Sequence, residues 1–498
     1  MKKSEMPLSV PGRRDFLKAA GAVTAGIAAG SPLSLAESPG SSLEPLNVWI
    51  TSDELRVAES DPIDWSDAAR PHGQEVVTLS PQSKFQSILG FGACFNDGAC
   101  YLFNQLSAAS RAGLFHTLFH PSQMSLNVCR ICIGSADAAA SVYSFDDGDP
   151  DPDLKRFSID HDRAYILPVL REARAINPDL FLFGSPWSPP GWMKDNGSML
   201  GGCMRHTYMP SYAKYFVRFL QDYSAAGVPV QAITVQNEVD ADQQGLMPAC
   251  FWPQDYEADF VRLHLGPEFA RSGVKTQIWI IDHNYNLWGR AIAELETEGV
   301  RQYVNGIAWH GYSGEPEMMS RVQDAFPDLP MHWTEGTPDY NDPEYMKCWA
   351  VWGQKFTTIL RNSCTSVTAW CFATDEHGKP NIGPYPCGGI LTIDSKTHAI
   401  YHCGQFWALS HFSRFVKRGA VRIDSDGSYK DLTHVAFVNP DGSLVVILTN
   451  SGNARTTELR LGRHVASISI PANSVMTLTA SGRTLGSTSL VGEGQTCA

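Results

Sequence analysis

Between residues 88 and 372 the chain repeats one pattern eight times. A short run of apolar or β-branched residues is followed by a longer stretch in which apolar residues return at helical spacing. The runs lie at 88–95, 126–133, 180–185, 230–235, 276–281, 306–310, 331–334 and 366–372. Helical spacing is plain in Tyr212, Phe216, Phe219, Leu220 and Tyr223, closed by Gly227, and in Ile166, Leu167, Leu170 and Ala173, stopped by Pro178. Strands alternating with helices at intervals of roughly 40 residues argue for parallel βαβ units, and eight such units close into a barrel. The pattern predicts a (β/α)8 TIM barrel of the α/β class over residues 88–415.

After residue 415 the period changes from 3.6 to 2. Residues 433–438, an Asn439-Pro440-Asp441-Gly442 turn and residues 444–448 read as a hairpin, with further strands at 457–461, 466–470 and 474–479. Strand-like pieces at 48–50 and 75–79 precede the barrel. An isolated pair of strands is marginal, so the N-terminal pieces, residues 45–87, are expected to join residues 416–498 in one discontinuous all-β sandwich.

The first 36 residues read as an address. Arg13-Arg14-Asp15-Phe16-Leu17-Lys18 precedes an uncharged, mildly apolar run at 19–30 and a small-x-small cleavage candidate at Ser34-Leu35-Ala36. This looks like a twin-arginine export signal, leading to the periplasm or beyond. The run is about 12 residues where a spanning helix needs about 20, so no integral span is expected in the mature chain. Residues 37–44, acidic and rich in Ser and Pro, read as a flexible leader.

Composition excludes partners. With 52 Asp+Glu against 39 Lys+Arg, the formal charge of -13 opposes binding to nucleic-acid phosphates or an anionic membrane. The twelve cysteines are scattered without metal-ligand spacing. Cys129 and Cys132 fall inside an apolar strand, where alternation turns neighbours to opposite faces, so they read as buried thiols. No Gly-rich nucleotide loop is present.

In such a barrel the chemistry sits at the C-terminal ends of the strands. Those ends carry Asn96-Asp97, Arg130, Trp187, Gln236-Asn237-Glu238, Asp282-His283-Asn284, His310-Gly311-Tyr312, Thr334-Glu335, and Trp370 with Phe372. Glu238 and Glu335 close strands four and seven, on opposite sides of one mouth. Glycosidic cleavage needs such a pair, one carboxyl protonated to release the leaving oxygen and one ionised to attack the anomeric carbon. The flat aromatic rings suit the C–H faces of sugars. A non-catalytic carbohydrate-binding barrel is the rival from another class, and both glutamates at the strand ends speak against it. A redox-cofactor cargo, suggested by the export signal, lacks cofactor motifs.

The segments from Gly90 through Asn96-Asp97 to Ala99, Ser185-Pro186-Trp187-Ser188-Pro189-Pro190, Gln236-Asn237-Glu238, His310-Gly311-Tyr312 and Thr334-Glu335-Gly336, in this order, resemble glycoside hydrolase family 30. The branch they resemble most is that of the glucosylceramidases, and the likeness runs from about residue 45 to 480. It implies a retaining enzyme with a (β/α)8 barrel and a side sandwich. Glu238 would be the acid/base, Glu335 the nucleophile, and Asn237 the partner of the sugar 2-hydroxyl. Asp97 and Trp187 would bind hydroxyls at the far end of that sugar, and Arg130 and Tyr312 would hold the nucleophile ionised. His310 and Trp370 would complete the substrate-binding wall. The Pro usual after the Asn-Glu pair is replaced here by Val239-Asp240.

The mechanism so implied is double displacement, without metal or organic cofactor, on a carbohydrate or glycolipid substrate. Glucosylceramide-like β-glucosides are the expected substrates. A β-1,6-glucanase, a β-xylosidase or a general β-glucosidase of the same family would use the same machinery.

Overall fold

The computed structural model describes residues 43–67 and 75–482. The expected export signal lies outside the described residues. Of the expected leader only 43 and 44 are described, and there Leu43 is buried in an apolar core rather than free.

The eight apolar runs form eight parallel strands: β1 (Gly90–Phe95), β2 (Val128–Cys132), β3 (Phe181–Ser185), β4 (Ala232–Thr234), β5 (Gln277–Asn284), β6 (Val304–His310), β7 (Met331–Glu335) and β8 (Cys364–Ala369). Each pairs with its neighbours in sequence, and β8 returns to β1, so the sheet has no edge. The strands are buried almost throughout because helices cover the outside and side chains fill the inside. Beneath the polar strand ends the barrel is plugged by Val128, Phe183, Ala232, Trp279 and Ala308. His332 stacks on Trp279 with ring centroids 3.8 Å apart, and burial pushes its imidazole down to about 3, so the plug carries no charge.

The period-2 region is one hydrogen-bonded sheet of ten strands wrapped on its own core. As expected of strands too few to stand alone, the N-terminal strands complete it: Leu46–Thr51 pairs with Ser474–Ala480, and Val76–Ser87 lies between Val421–Asp426 and Arg455–Leu461. The helix Gly404–Ser413 ties this sheet to the barrel. Its His411 contacts Thr477 and Thr51, each at 2.8 Å, and burial pushes the ring down to about 3, leaving a neutral imidazole to bridge two hydroxyls.

Candidate active site

The C-terminal ends of the strands enclose a cavity of about 420 Å³, within the range of small-molecule sites. Of the nine residues singled out in the sequence, Trp187, Asn237, Glu238, Tyr312, Glu335 and Trp370 line it. Arg130 and His310 are fully buried and support the floor.

Arg130, from the middle of β2, is the hub. Its Nη1 donates to Glu335 Oε2 at 2.5 Å, its Nη2 to Asp282 Oδ2 at 2.7 Å and to Asn237 Oδ1 at 2.8 Å, and its Nε to Ser185 Oγ at 3.0 Å. The guanidinium also lies 4.6 Å from the Trp187 ring centroid. Burial opposes its charge, but Asp282 and Glu335 outweigh that and hold it protonated. Asp282 accepts from Thr234 and Thr334, and the charge of Arg130, with His310 and the Thr334 hydroxyl, holds it well below the usual carboxylate range despite burial. Glu335 thus meets a guanidinium on one oxygen, and the Tyr312 hydroxyl donates to the other at 3.1 Å.

Glu238 has a different setting. It stands past the end of β4 with φ of 56°, a left-handed conformation that costs about 1–3 kcal/mol in a non-glycine residue. Its backbone N–H donates to the Asp282 carbonyl, whose own φ of 45° follows 76° at Ile281. Here β5 slips one register position against β6, so that Trp309 faces His283 where Ala308 faces Ile281. A bulge of this kind brings neighbouring side chains to the same end of a strand. Asp282 therefore points to Arg130 while His283 also reaches the mouth, with Nδ1 3.6 Å from Glu238 Oε1 and Nε2 2.6 Å from Asp240 Oδ1.

His310 joins both carboxylates, with Nδ1 3.4 Å from Glu238 Oε1 and Nε2 3.7 Å from Glu335 Oε2 and 3.1 Å from Asp282 Oδ1. Burial would lower its imidazole, but Glu335, Asp282 and Glu238 push it up to about 9. Burial would likewise raise the Glu238 carboxyl, but the hydrogen bond from His310 and the charges of His283, His310 and Arg130 hold it below the ordinary glutamate value. Gln243 donates its amide to Glu238 Oε2, and the Tyr385 hydroxyl donates to Gln243 at 2.5 Å. Trp187 and Trp370 stack with centroids 4.6 Å apart to form one wall, whereas Phe372 is buried against Phe95, Phe103 and Phe119.

Asp97 does not reach this cavity. It opens the helix Asp97–Gln105, and its carboxylate accepts from the Ala140 N–H at 3.0 Å and from the Tyr165 hydroxyl. A first-turn position turned it toward loop and helix instead of the mouth. The cavity's carboxylate on that side is Asp137, from the loop after β2. It is buried, its Oδ1 has no hydrogen-bond partner, and burial together with the negative Glu335 pushes it up to about 7. Asp137, His283, Gln243 and Tyr385 went unassigned in the sequence. Of these only His283 stood among the polar strand ends.

Comparison with known proteins agrees with this fold. The family model for the glycosyl hydrolase family 30 TIM-barrel domain matches residues 88–416, and that for the family 30 β-sandwich domain matches 419–478. An endo-1,6-β-D-glucanase of Neurospora crassa is 33% identical over 391 residues, 74% of this chain and 80% of that one. The putative glucosylceramidase 1 of Caenorhabditis elegans is 30% identical over 410 residues, 78% of each chain. A solved endo-β1,6-glucanase superposes with a TM-score of 0.80 at 26% identity, covering 88% of this chain and 100% of the other. SrfJ from Salmonella typhimurium does so with 0.83 at 25% identity, covering 88% and 99%. The chain belongs to glycosyl hydrolase family 30, and it is a glycosidase.

Proposed function

We propose that the protein hydrolyses β-glucosidic bonds by double displacement with retention, and that its substrates are β-1,6-linked glucans. The observation that carries the mechanism is the unlike setting of two carboxylates on one cavity: Glu335 clasped by Arg130 and Tyr312, Glu238 facing imidazoles and an amide. The buried guanidinium on one oxygen and the tyrosine hydroxyl on the other orient Glu335 for attack. Glu335 attacks the anomeric carbon while Glu238, which shares the Nδ1 proton of the protonated His310, passes a proton to the leaving oxygen, and a glycosyl ester forms on Glu335. Glu238 then takes a proton from water, which attacks the same carbon and releases the sugar in its β configuration. Asn237, its carboxamide oxygen held by Arg130, turns its NH₂ toward the 2-hydroxyl. The Trp187–Trp370 pair faces the sugar ring.

For the leaving group, support comes from relatives and from charge. The Neurospora crassa relative and the solved structure are both endo-1,6-β-glucanases. A chain with a formal charge of -13 gains nothing from an anionic lipid surface. Glucosylceramide hydrolysis is the second reading, favoured by the Caenorhabditis elegans relative. A panel of linear β-1,6-glucan, a lipid-linked β-glucoside in vesicles, aryl β-glucoside and aryl β-xyloside separates them. Oligomers released from the glucan, with a kcat/KM for aryl β-glucoside about 10-fold or more above that for aryl β-xyloside, is the expected result. Rapid turnover of the lipid with an untouched glucan overturns the glucan reading.

A further inference from the structure

Three ligand atoms converge at the mouth in a way that proton transfer alone does not require. Glu238 Oε1 stands 3.4 Å from His310 Nδ1 and 3.6 Å from His283 Nδ1, and the three lie within 4.8 Å of one another. A tetrahedral cation with bonds of about 2.0–2.2 Å holds its ligands about 3.3–3.6 Å apart, so two of these three separations already fit. Both imidazoles are also oriented from behind by carboxylates: His310 Nε2 by Asp282 at 3.1 Å, and His283 Nε2 by Asp240 at 2.6 Å. This carboxylate–histidine arrangement is the one that surrounds metal-ligating imidazoles, because it fixes the ring; a cation at His310 Nδ1 displaces the proton which that nitrogen shares with Glu238. His283 Nδ1 is buried, without a hydrogen-bond partner, and faces Glu238. Glu238 and His283 both line the cavity, which leaves the fourth position to water.

No linear motif announces this cluster, since its members come from the ends of β4, β5 and β6 and meet through the bulge in β5. Two nitrogens and one carboxylate oxygen select a borderline divalent transition cation over magnesium or calcium, which take oxygen ligands.

We propose that Glu238, His283 and His310 form a binding site for a Zn²⁺-class divalent cation, and that its occupation reversibly inhibits hydrolysis. A metal on Glu238 Oε1 takes the lone pair that must carry the transferred proton, and it blocks the approach of the leaving group. The inhibition, though not the site, rests on Glu238 being the proton donor.

The test titrates Zn²⁺ into the full chain freed of metal with a chelator. Binding is read by calorimetry and, with Co²⁺ as probe, by the visible absorption of a tetrahedral site; turnover of aryl β-glucoside is measured in parallel. One Zn²⁺ per chain, competitive with substrate, is expected. His283→Asn and Asp240→Asn should each weaken binding about 10–100-fold. Asp240 is the second variant because it stands behind His283 and is not part of the cavity lining. Absence of Zn²⁺ binding up to millimolar concentration, or wild-type affinity in both variants, overturns the site. Binding lost in both variants but without effect on wild-type turnover supports the site and contradicts Glu238 as proton donor.

Discussion

Glu335 and Glu238 face one cavity, yet the chain builds their surroundings by different means. Glu335 is the last residue of the buried strand β7, and its partners, Arg130 from β2 and Tyr312 from just past β6, approach from the barrel wall. Glu238 sits in a left-handed turn, held by His310 and His283 and by Gln243 from a loop that Tyr385 supports in turn. The first carboxylate is held by a permanent charge. The second is surrounded by imidazoles, which exchange protons, and by an amide from a loop. A fixed charge stands where a bond forms to carbon, and titratable groups stand where a proton passes twice, once in each direction.

The contrast breaks most sharply at Glu335. Glu335→Gln keeps the shape and removes the nucleophile, so kcat should fall by about 10⁴-fold or more on every substrate, with the thermal midpoint little changed. A loss confined to substrates with poor leaving groups would contradict the role. At Glu238 the opposite pattern is expected. Glu238→Ala should slow substrates with poor leaving groups by about 10²–10⁴-fold and activated aryl glycosides far less, and azide should restore turnover as the β-glycosyl azide. Equal losses on both kinds of substrate, without rescue, would count against proton donation.

Asp137 sharpens the comparison from the sugar's side. As a buried acceptor with a vacant oxygen, it binds hydroxyls best when ionised, so KM should fall as pH rises from 5 to 8, through its value of about 7. Asp137→Asn should flatten that dependence and raise KM more than it lowers kcat. A variant with an unchanged pH profile of KM would remove Asp137 from substrate recognition. The smallest effect belongs to the loop. Gln243→Ala deletes one hydrogen bond to Glu238, worth about 0.5–1.5 kcal/mol, and should slow unactivated substrates a few-fold while leaving activated ones alone.

The barrel was legible because its strands, buried on both faces, are short apolar runs that end in polar residues. Of the nine site residues picked from those ends, six line the cavity. Asp97 shows where the rule fails, since a polar residue after a strand also opens the following helix, and here the helix and Tyr165 claimed its carboxylate. His283 was visible at its strand end, but its reach beside Asp282 depends on a bulge, and a two-residue period cannot show one. Asp137, Gln243 and Tyr385 lie on loops, where no periodicity points inward. Leu43, placed in a leader by composition, is buried by the sandwich core.

The most direct test of the account is to trap the glycosyl-enzyme. The full chain is incubated with a 2-deoxy-2-fluoro-β-glucosyl fluoride, whose fluorine slows both steps and whose good leaving group spares the first, then digested and read by mass spectrometry. The account requires one fluoroglucosyl group per chain, on the peptide bearing Glu335. A label on Glu238 or elsewhere, or no label with α-anomer as the first product of hydrolysis, would contradict it.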